Sequence, residues 1–286
     1  MNVFITGVNG FIGSHLARYL KEKGNKISGC SIEAAARDDL QPVLSGYSPL
    51  FLNRDFDPGI FKNIDCLVHC AYSYERKNIE ITNIAGTKKM YHAGKDRGVK
   101  KHIFLTSYSA KPGSQSEYGF IKYELENFFL QEKQVIIRPG LVLGSGGMFQ
   151  GMMRLLKTYP VIPLLDGGAY DVPIISVGAL CQAIEKILTV TGPAQYHIFQ
   201  AELVSMKHLL LETKRRLGAR CLLLPIPSFL PRLFLKLLET LRIPFPIKSS
   251  SIVALKENRQ LSYRSHLKQL GIVDSPLEEI LRSIKD

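Results

Sequence analysis

The segment TGVNGFIGSHL, residues 6–16, decides how the first half of the chain folds. Its three glycines follow directly on an apolar run, Asn2–Thr6, and precede a stretch with helical spacing. Glycines in this strand-turn-helix context are typical of a dinucleotide-binding turn. Gly7 permits the tight turn, Gly10 lets the backbone approach a pyrophosphate, and Gly13 allows close helix packing, while helix-end N–H groups face the phosphates.

Strand-like and helix-like segments alternate up to Pro139. The predicted strands are Asn2–Thr6, Lys26–Ser31, Pro49–Asn53, Cys66–Cys70, His102–Ser107 and Gln134–Arg138. The predicted helices are Phe11–Lys23, Ile79–Asp96 and Tyr118–Gln131. This alternation implies right-handed β-α-β units, and therefore an α/β fold with a doubly wound parallel sheet of the Rossmann type.

Glycine- and proline-rich loops with short helices follow Pro139 and predict a smaller, irregular α/β lobe for the substrate. The predicted dinucleotide-binding domain takes residues 1–143 plus about 171–200, and the substrate-binding lobe takes about 144–170 and 201–286. Leu209–Leu217 and Leu277–Ile284 have the spacing of amphipathic helices. Phe229–Leu241 is either an interfacial membrane helix or, as we favour, a helix packed on the lobe or on a second subunit.

Composition narrows the class of protein. The 286 residues are 45% hydrophobic, and charges or prolines interrupt every apolar run, so no membrane span is expected. The start of the chain has no secretory pattern, which predicts a cytoplasmic protein. Five scattered cysteines without C-x-x-C spacing predict neither a disulfide framework nor a metal site.

The formal charge is 37 − 25 = +12, which by itself suggests an anionic partner. The basic residues are dispersed as doublets, such as Lys88-Lys89 and Arg215-Arg216, without a long basic run or an aromatic ladder. We therefore expect a small anionic ligand such as a nucleotide, and no nucleic acid.

A second motif, Tyr118-Gly-Phe-Ile-Lys122, lies on the predicted helix that follows Thr106-Ser107. Residues four apart share one helix face, so the phenol and the ammonium can point into one cleft. A nearby ammonium favours the phenolate and would lower the pKa of Tyr118 toward a value useful for acid-base catalysis.

Together these motifs resemble the short-chain dehydrogenase/reductase superfamily, and in detail its extended branch of nucleotide-sugar epimerases, dehydratases and reductases. The similarity covers at least Met1–Gly144 in the expected order. Further matching segments are His69-Cys70-Ala71, Asn83-Ile-Ala-Gly86-Thr87, Val99–Ser107, Arg138-Pro139-Gly140 and Leu270-Gly271-Ile272.

The resemblance implies catalytic roles for three residues. Tyr118 would exchange a proton with the substrate oxygen while hydride moves to or from nicotinamide. Lys122 would hold the nicotinamide ribose and lower the pKa of Tyr118, and Ser107 would bind the reacting oxygen. Ser109 is the alternative to Ser107 if the strand register slips by two.

The resemblance also implies a dinucleotide site. Its expected residues are Gly7, Asn9, Gly10, Phe11, Ile12, Gly13, Ser31, Arg37, Asp55, Cys70, Ala71, Tyr72, Thr106, Tyr118, Lys122, Pro139 and Val142. Within this set Asp55 would face the adenine. Asn83 is expected to be structural, and His69 to be a strand-end residue rather than a base.

The resemblance implies NAD or NADP as cofactor. Members that prefer NAD usually carry an acid at the end of the second strand, where this chain has Ser31. The neutral Ser31, with Arg37 close in sequence, slightly favours NADP(H). Glu33 can still reach the ribose, so NAD(H) stays open.

The expected substrate is a nucleotide sugar that undergoes 4-keto reduction or 4-epimerisation. Two short loops, between Ala71 and Asn83 and between Ser107 and Tyr118, leave open a reductase of a smaller ketone. A dinucleotide-sensing protein without catalysis is the alternative of another class. Members often dimerise through two helices, for which Ile79–Asp96 and Tyr118–Gln131 are the candidates.

Overall fold

The structure is a computed structural model that describes residues 1–75, 77–114, 116–227 and 264–284. Its centre is a seven-stranded sheet in the order β11-β6-β5-β4-β1-β2-β3, in which every pairing is parallel. The strands are β1 (Asn2–Thr6), β2 (Lys26–Ser31), β3 (Leu44–Pro49), β4 (Cys66–His69), β5 (Lys101–Leu105), β6 (Val135–Pro139) and β11 (Ala194–Ile198). The expected doubly wound α/β fold is confirmed.

Helices cover both faces of the sheet because alternate strand residues are apolar on both sides. Val3 and Ile5 of β1 pack with α1 (Phe11–Glu22) and α5 (Val177–Leu188). Phe4, between them, joins the core on the opposite face, where α2 (Ile79–Asp96) and α3 (Glu117–Gln131) lie. The helix bounds agree with the predicted ones to within one residue.

One predicted strand was wrong. The third strand is Leu44–Pro49 rather than Pro49–Asn53, and it pairs with β2 from Ile27↔Leu44 to Ser31↔Pro49. It lies at the edge of the sheet, where backbone pairing does not require an apolar run and a terminal proline is tolerated. The apolar residues after it serve the core instead, since Leu50 is buried beyond the strand end.

The chain after β6 forms small sheets and helices around a separate apolar cluster. Three two-stranded sheets pair β7 (Leu141–Leu143) with β10 (Ile174–Ser176), β8 (Val161–Leu165) with β13 (Leu222–Ile226), and β9 (Asp171–Val172) with β12 (Val204–Ser205). The helices are α4 (Gly147–Thr158), α6 (Met206–Leu217) and α7 (Leu277–Ser283). The segment Phe229–Leu241 lies outside the described residues.

A buried ion pair joins α3 to the sheet. Glu126 accepts two hydrogen bonds from Arg138 of β6, at 3.0 Å from Nε and 2.6 Å from a terminal nitrogen, and one from Gln195 of β11 at 2.9 Å. Both charged side chains are almost completely buried. Such a pair is bidentate and satisfied, so removing one partner leaves a charge without compensation in the core.

We predict that Arg138→Met lowers the free energy of unfolding by about 3–5 kcal/mol, because it strands the Glu126 carboxylate. The double variant Arg138→Met/Glu126→Gln should recover part of this loss, since no buried charge remains. Urea denaturation of the three proteins measures both effects. A single variant as stable as the wild type would contradict the role given to the pair.

Candidate active site

The glycine turn lies where the strand order reverses, between β1 and β4. Gly7 has a φ of +69°, which favours glycine, and a Cβ there would stand 3.0 Å from the Cα of Ala71. A Cβ on Gly13 would collide with the carbonyl oxygen of Gly7. The Thr6 hydroxyl accepts hydrogen bonds from the N–H groups of Cys70 (3.1 Å) and Ala71 (3.0 Å), which fixes the two strand ends side by side.

The first turn of α1 is open at this crevice. Gly10 is its exposed N-cap and offers no side chain to the helix-end N–H groups, and Phe11 and Ile12 are half-buried beside it. Uncapped helix-end N–H groups bind anions. The narrow glycine cradle and the open helix end therefore fit the pyrophosphate of a dinucleotide.

At the end of β2 the structure contains the alternative that the sequence left open, with Glu33 beside Ser31. The Glu33 carboxylate accepts hydrogen bonds from Ser31 and, at 3.2 Å, from the Asn9 side chain. These bonds hold the pKa of Glu33 below its usual range, the Ser31 bond having the largest effect. Ser31 thus holds the ionised Glu33 carboxylate at the end of the strand, although the Ser31 side chain itself is neutral.

Two further predicted residues, Arg37 and Asp55, form ion pairs at the surface. Arg37 forms a two-point ion pair with Asp39, 3.0 Å at each contact, and its backbone N–H donates to Asn9. Asp55 is fully exposed after β3 and pairs with Lys89 of α2. Its contact with adenine stays a prediction.

The three expected catalytic side chains come together at the carboxyl edge of the sheet. Ser107 follows β5, and its hydroxyl lies close enough to the phenol of Tyr118, near the start of α3, to affect the pKa of that phenol. Ser116 caps this helix by accepting from the N–H of Gly119 at 3.0 Å, which fixes the turn that carries Tyr118. The Lys122 ammonium lies 5.9 Å from the centre of the Tyr118 ring.

The electrostatics of this cluster differ from the expectation. Lys122 is 4% exposed, donates to the carbonyl of Leu105 at 2.8 Å and lies 4.8 Å from the Phe104 ring centre. Burial lowers the pKa of Lys122 to about 8. The pKa of Tyr118 is raised, because burial outweighs the opposing effect of its hydrogen bond with Ser107. The predicted lowering by Lys122 is not found in the cofactor-free protein.

The remaining predicted residues line the same edge. Cys70, Ala71 and Tyr72 follow β4, Thr106 follows β5, Pro139 ends β6 and Val142 lies in β7. All are half-buried except Thr106, which is buried. The glycine-rich loop 144–147 packs on the ring of Phe11 and so continues this wall from the second part of the chain.

Two predictions about individual residues gain a structural context. Asn83 is buried and hydrogen-bonds the backbone of Ser73 on both sides, at 2.8 Å and 2.9 Å, consistent with a structural role. His69 shares a 3.1 Å hydrogen bond with His102 in the core, and burial lowers the pKa of His69 well below its ordinary value. The sequence motifs did not single out His102 or Tyr74, whose ring lies 4.9 Å from that of Tyr72.

Residues 3–127 match the family described as "NAD dependent epimerase/dehydratase family". This match includes the glycine turn, Ser107, Tyr118 and Lys122. Residues 3–127, which are less than half of the chain, are thus similar to this family. The resemblance to extended short-chain dehydrogenases/reductases is confirmed, and so is the expectation of an NAD(P)-dependent enzyme of this class.

Similar proteins extend the comparison beyond the family match. A UDP-glucose 4-epimerase of Vibrio cholerae is 24% identical over 270 residues, covering 82% of each chain. A 3-beta-hydroxysteroid dehydrogenase of Mycolicibacterium neoaurum is 24% identical over 166 residues, covering 53% of this chain and 44% of the relative. The structure of MoeE5 in complex with UDP-glucose and NAD has a TM-score of 0.74 at 19% identity and covers 99% of this chain and 97% of its own.

The described part of the chain was also searched for membrane and metal features. None of its helices combines the length and apolar character needed to cross a membrane. Within the same ranges, no three or more His, Cys, Asp or Glu side chains are grouped so that they could hold a metal ion.

We predict that the buried Lys122 makes stability depend on pH. Its pKa is about 8 in the folded protein against a usual 10.5, so between these values the unfolded chain binds more protons and stability rises with pH. Relative to Lys122→Met, the free energy of unfolding of the wild type should rise by roughly 2–3 kcal/mol from pH 7 to pH 10.

Thermal or urea unfolding of both proteins, stripped of dinucleotide, measures this difference. Groups other than Lys122 titrate in both proteins and cancel. Parallel pH profiles would contradict the low pKa.

Proposed function

We propose that this protein is an NAD(H)-dependent enzyme that acts on the hydroxyl or carbonyl of a nucleotide-activated sugar, by 4-epimerisation or 4-keto reduction. The observation that carries the proposal is the grouping of Ser107, Tyr118 and Lys122 at the crevice that the glycine turn opens. A proton-transfer group thus lies next to a dinucleotide cradle.

The bound dinucleotide supplies hydride transfer. Tyr118 is the acid-base: its raised pKa keeps the phenol protonated at neutral pH, ready to donate to a substrate carbonyl oxygen. Ser107 holds that oxygen within reach of the phenol. Lys122 binds the ribose, and its ammonium stabilises the phenolate that remains after proton transfer.

A nucleotide sugar is the substrate class that the similar proteins favour. The relative covering most of both chains is a UDP-glucose 4-epimerase, and MoeE5 was solved with UDP-glucose and NAD. We assign dinucleotide binding to residues 1–143 plus about 171–200, and the nucleotide sugar to the lobe of about 144–170 and 201–286. The predicted homodimer through α2 and α3 is part of this proposal.

We propose NAD(H) rather than the slightly favoured NADP(H). The ionised Glu33, held by Ser31 and Asn9, can accept hydrogen bonds from ribose hydroxyls and repels a 2′-phosphate. Arg37, the residue expected to bind that phosphate, is already paired with Asp39.

A hydroxysteroid, or a compact ketone, is the second candidate substrate. It is supported by the similarity to the 3-beta-hydroxysteroid dehydrogenase and by the short loops around Tyr72 and Ser107. The non-catalytic alternative finds less support, because Ser107, Tyr118 and Lys122 are present and brought together.

We predict that Tyr118→Phe lowers turnover of UDP-glucose to its 4-epimer by about 100-fold or more, since the variant has no transferable proton. NAD affinity, measured by calorimetry, should change by less than about threefold. Tyr123→Phe, a half-buried tyrosine on the same helix, is the matched control. Undiminished turnover in Tyr118→Phe would remove Tyr118 from the mechanism.

We predict that Glu33→Gln weakens NADH binding about tenfold, because a charged hydrogen-bond acceptor is lost. The difference between the affinities for NADH and NADPH should therefore become smaller. Arg37→Ala should leave NADPH affinity within about twofold. Titrating both cofactors against wild type and variants tests this. Tighter binding of NADPH than NADH by the wild type, lost in Arg37→Ala, would reverse the assignment.

A further inference from the structure

Three tyrosine rings form a row that starts at the proposed acid-base. The Tyr72 ring centre lies 4.9 Å from that of Tyr118, with the planes at 66°, and 4.9 Å from that of Tyr74, with the planes at 60°. Edge-to-face contacts of this kind are favourable and orient the rings. The row runs outward from the half-buried Tyr118 to Tyr74, which is 77% exposed.

The backbone that carries this row of rings is anchored at Ser73. Ser73, between Tyr72 and Tyr74, donates its backbone N–H to the Asn83 side chain at 2.8 Å and accepts from it at 2.9 Å. Asn83 also donates to the carbonyl of Ile79, so the loop is tied to the first turns of α2. The exposed ring of Tyr74 is therefore held in place before any ligand arrives.

In the chain, Tyr74 follows the residue that contacts the glycine turn. Ala71 abuts Gly7 of the glycine turn, whereas Ser73 is already tied to α2. The chain thus leaves the glycine cradle between these two residues, and Tyr74 comes after that point. A large exposed ring that is connected through Tyr72 to the proposed acid-base offers a surface for substrate.

We infer that Tyr74, held by Tyr72, is a substrate-binding residue whose ring stacks on the C–H face of the sugar while that sugar reacts at Tyr118. The apolar C–H face of a pyranose complements the negative face of an aromatic ring. This inference rests on the proposed function and adds to it the residue that recognises the sugar.

The inferred contact with the sugar does not need the phenol hydroxyl of Tyr74. Stacking uses the ring, so Tyr74→Phe keeps the contact and Tyr74→Ala removes it. Leu130, an exposed residue near the C-terminal end of α3 and outside the lobe assigned to the substrate, provides a control for loss of an exposed apolar side chain.

The test is calorimetric binding of UDP-glucose to the NAD-loaded full chain. We expect Tyr74→Ala to weaken UDP-glucose binding about tenfold, and Tyr74→Phe and Leu130→Ala to stay within about twofold of the wild type. NAD affinity should be the same in all four proteins. Since Tyr74 is exposed, none of these changes is expected to unfold the chain.

The two failures are distinguishable. If the wild type binds UDP-glucose and Tyr74→Ala binds it equally well, the inference about Tyr74 is overturned while the proposed function stands. If the NAD-loaded wild type binds a 3β-hydroxysteroid and not UDP-glucose, the proposed sugar substrate and the stacking inference fall together. Equal losses in Tyr74→Ala and Leu130→Ala would also overturn the specific role of Tyr74.

Discussion

The bridge made by the Thr6 hydroxyl across the ends of β1 and β4 is the contact around which the candidate site is arranged. One oxygen accepts from two consecutive N–H groups, of Cys70 and Ala71, at the point where the strand order reverses. A crevice at such a point is where open α/β sheets bind their ligands. Gly7 fits there because its neighbour Ala71 leaves no room for a Cβ without displacement.

A second constraint acts through α3. Tyr118, Lys122 and Glu126 follow one another at intervals of four and therefore share a helix face. Glu126 is anchored by Arg138 in the core, and Lys122 is buried against Leu105 and Phe104. Charged side chains thus fix the helix to β5 and β6. This places Tyr118 at the edge of the sheet and restricts its position.

Burial of these charges shapes the chemistry of the cofactor-free protein. An ammonium in a nearly closed site loses solvation, which lowers the pKa of Lys122, and a phenol in the same surroundings resists ionisation. The bound dinucleotide would occupy the crevice beside both groups. Only a small part of the +12 charge takes part in this arrangement, and the structure gives the dispersed remainder no function.

The sequence by itself determined the features that depend on local geometry. Positive φ at Gly7, close helix packing at Gly13 and the four-residue spacing of Tyr118 and Lys122 need no distant partner to be recognised. The order of strands and helices followed from periodicity in the same way. Both edge strands of the sheet escaped: Leu44–Pro49 is defined by backbone pairing with β2 and not by an apolar pattern, and no strand was predicted at Ala194–Ile198.

The tertiary structure alone decided which side chains meet. The Glu33 carboxylate is hydrogen-bonded to Ser31, Arg37 forms an ion pair with Asp39, and the Tyr74 ring contacts the Tyr72 ring. Burial likewise raised the pKa of Tyr118, against the direction that its spacing from Lys122 suggested, and lowered the pKa of Lys122. The burial of a charged group and the side chain with which it pairs both depend on segments far apart in the chain. A local pattern of residues therefore predicts neither.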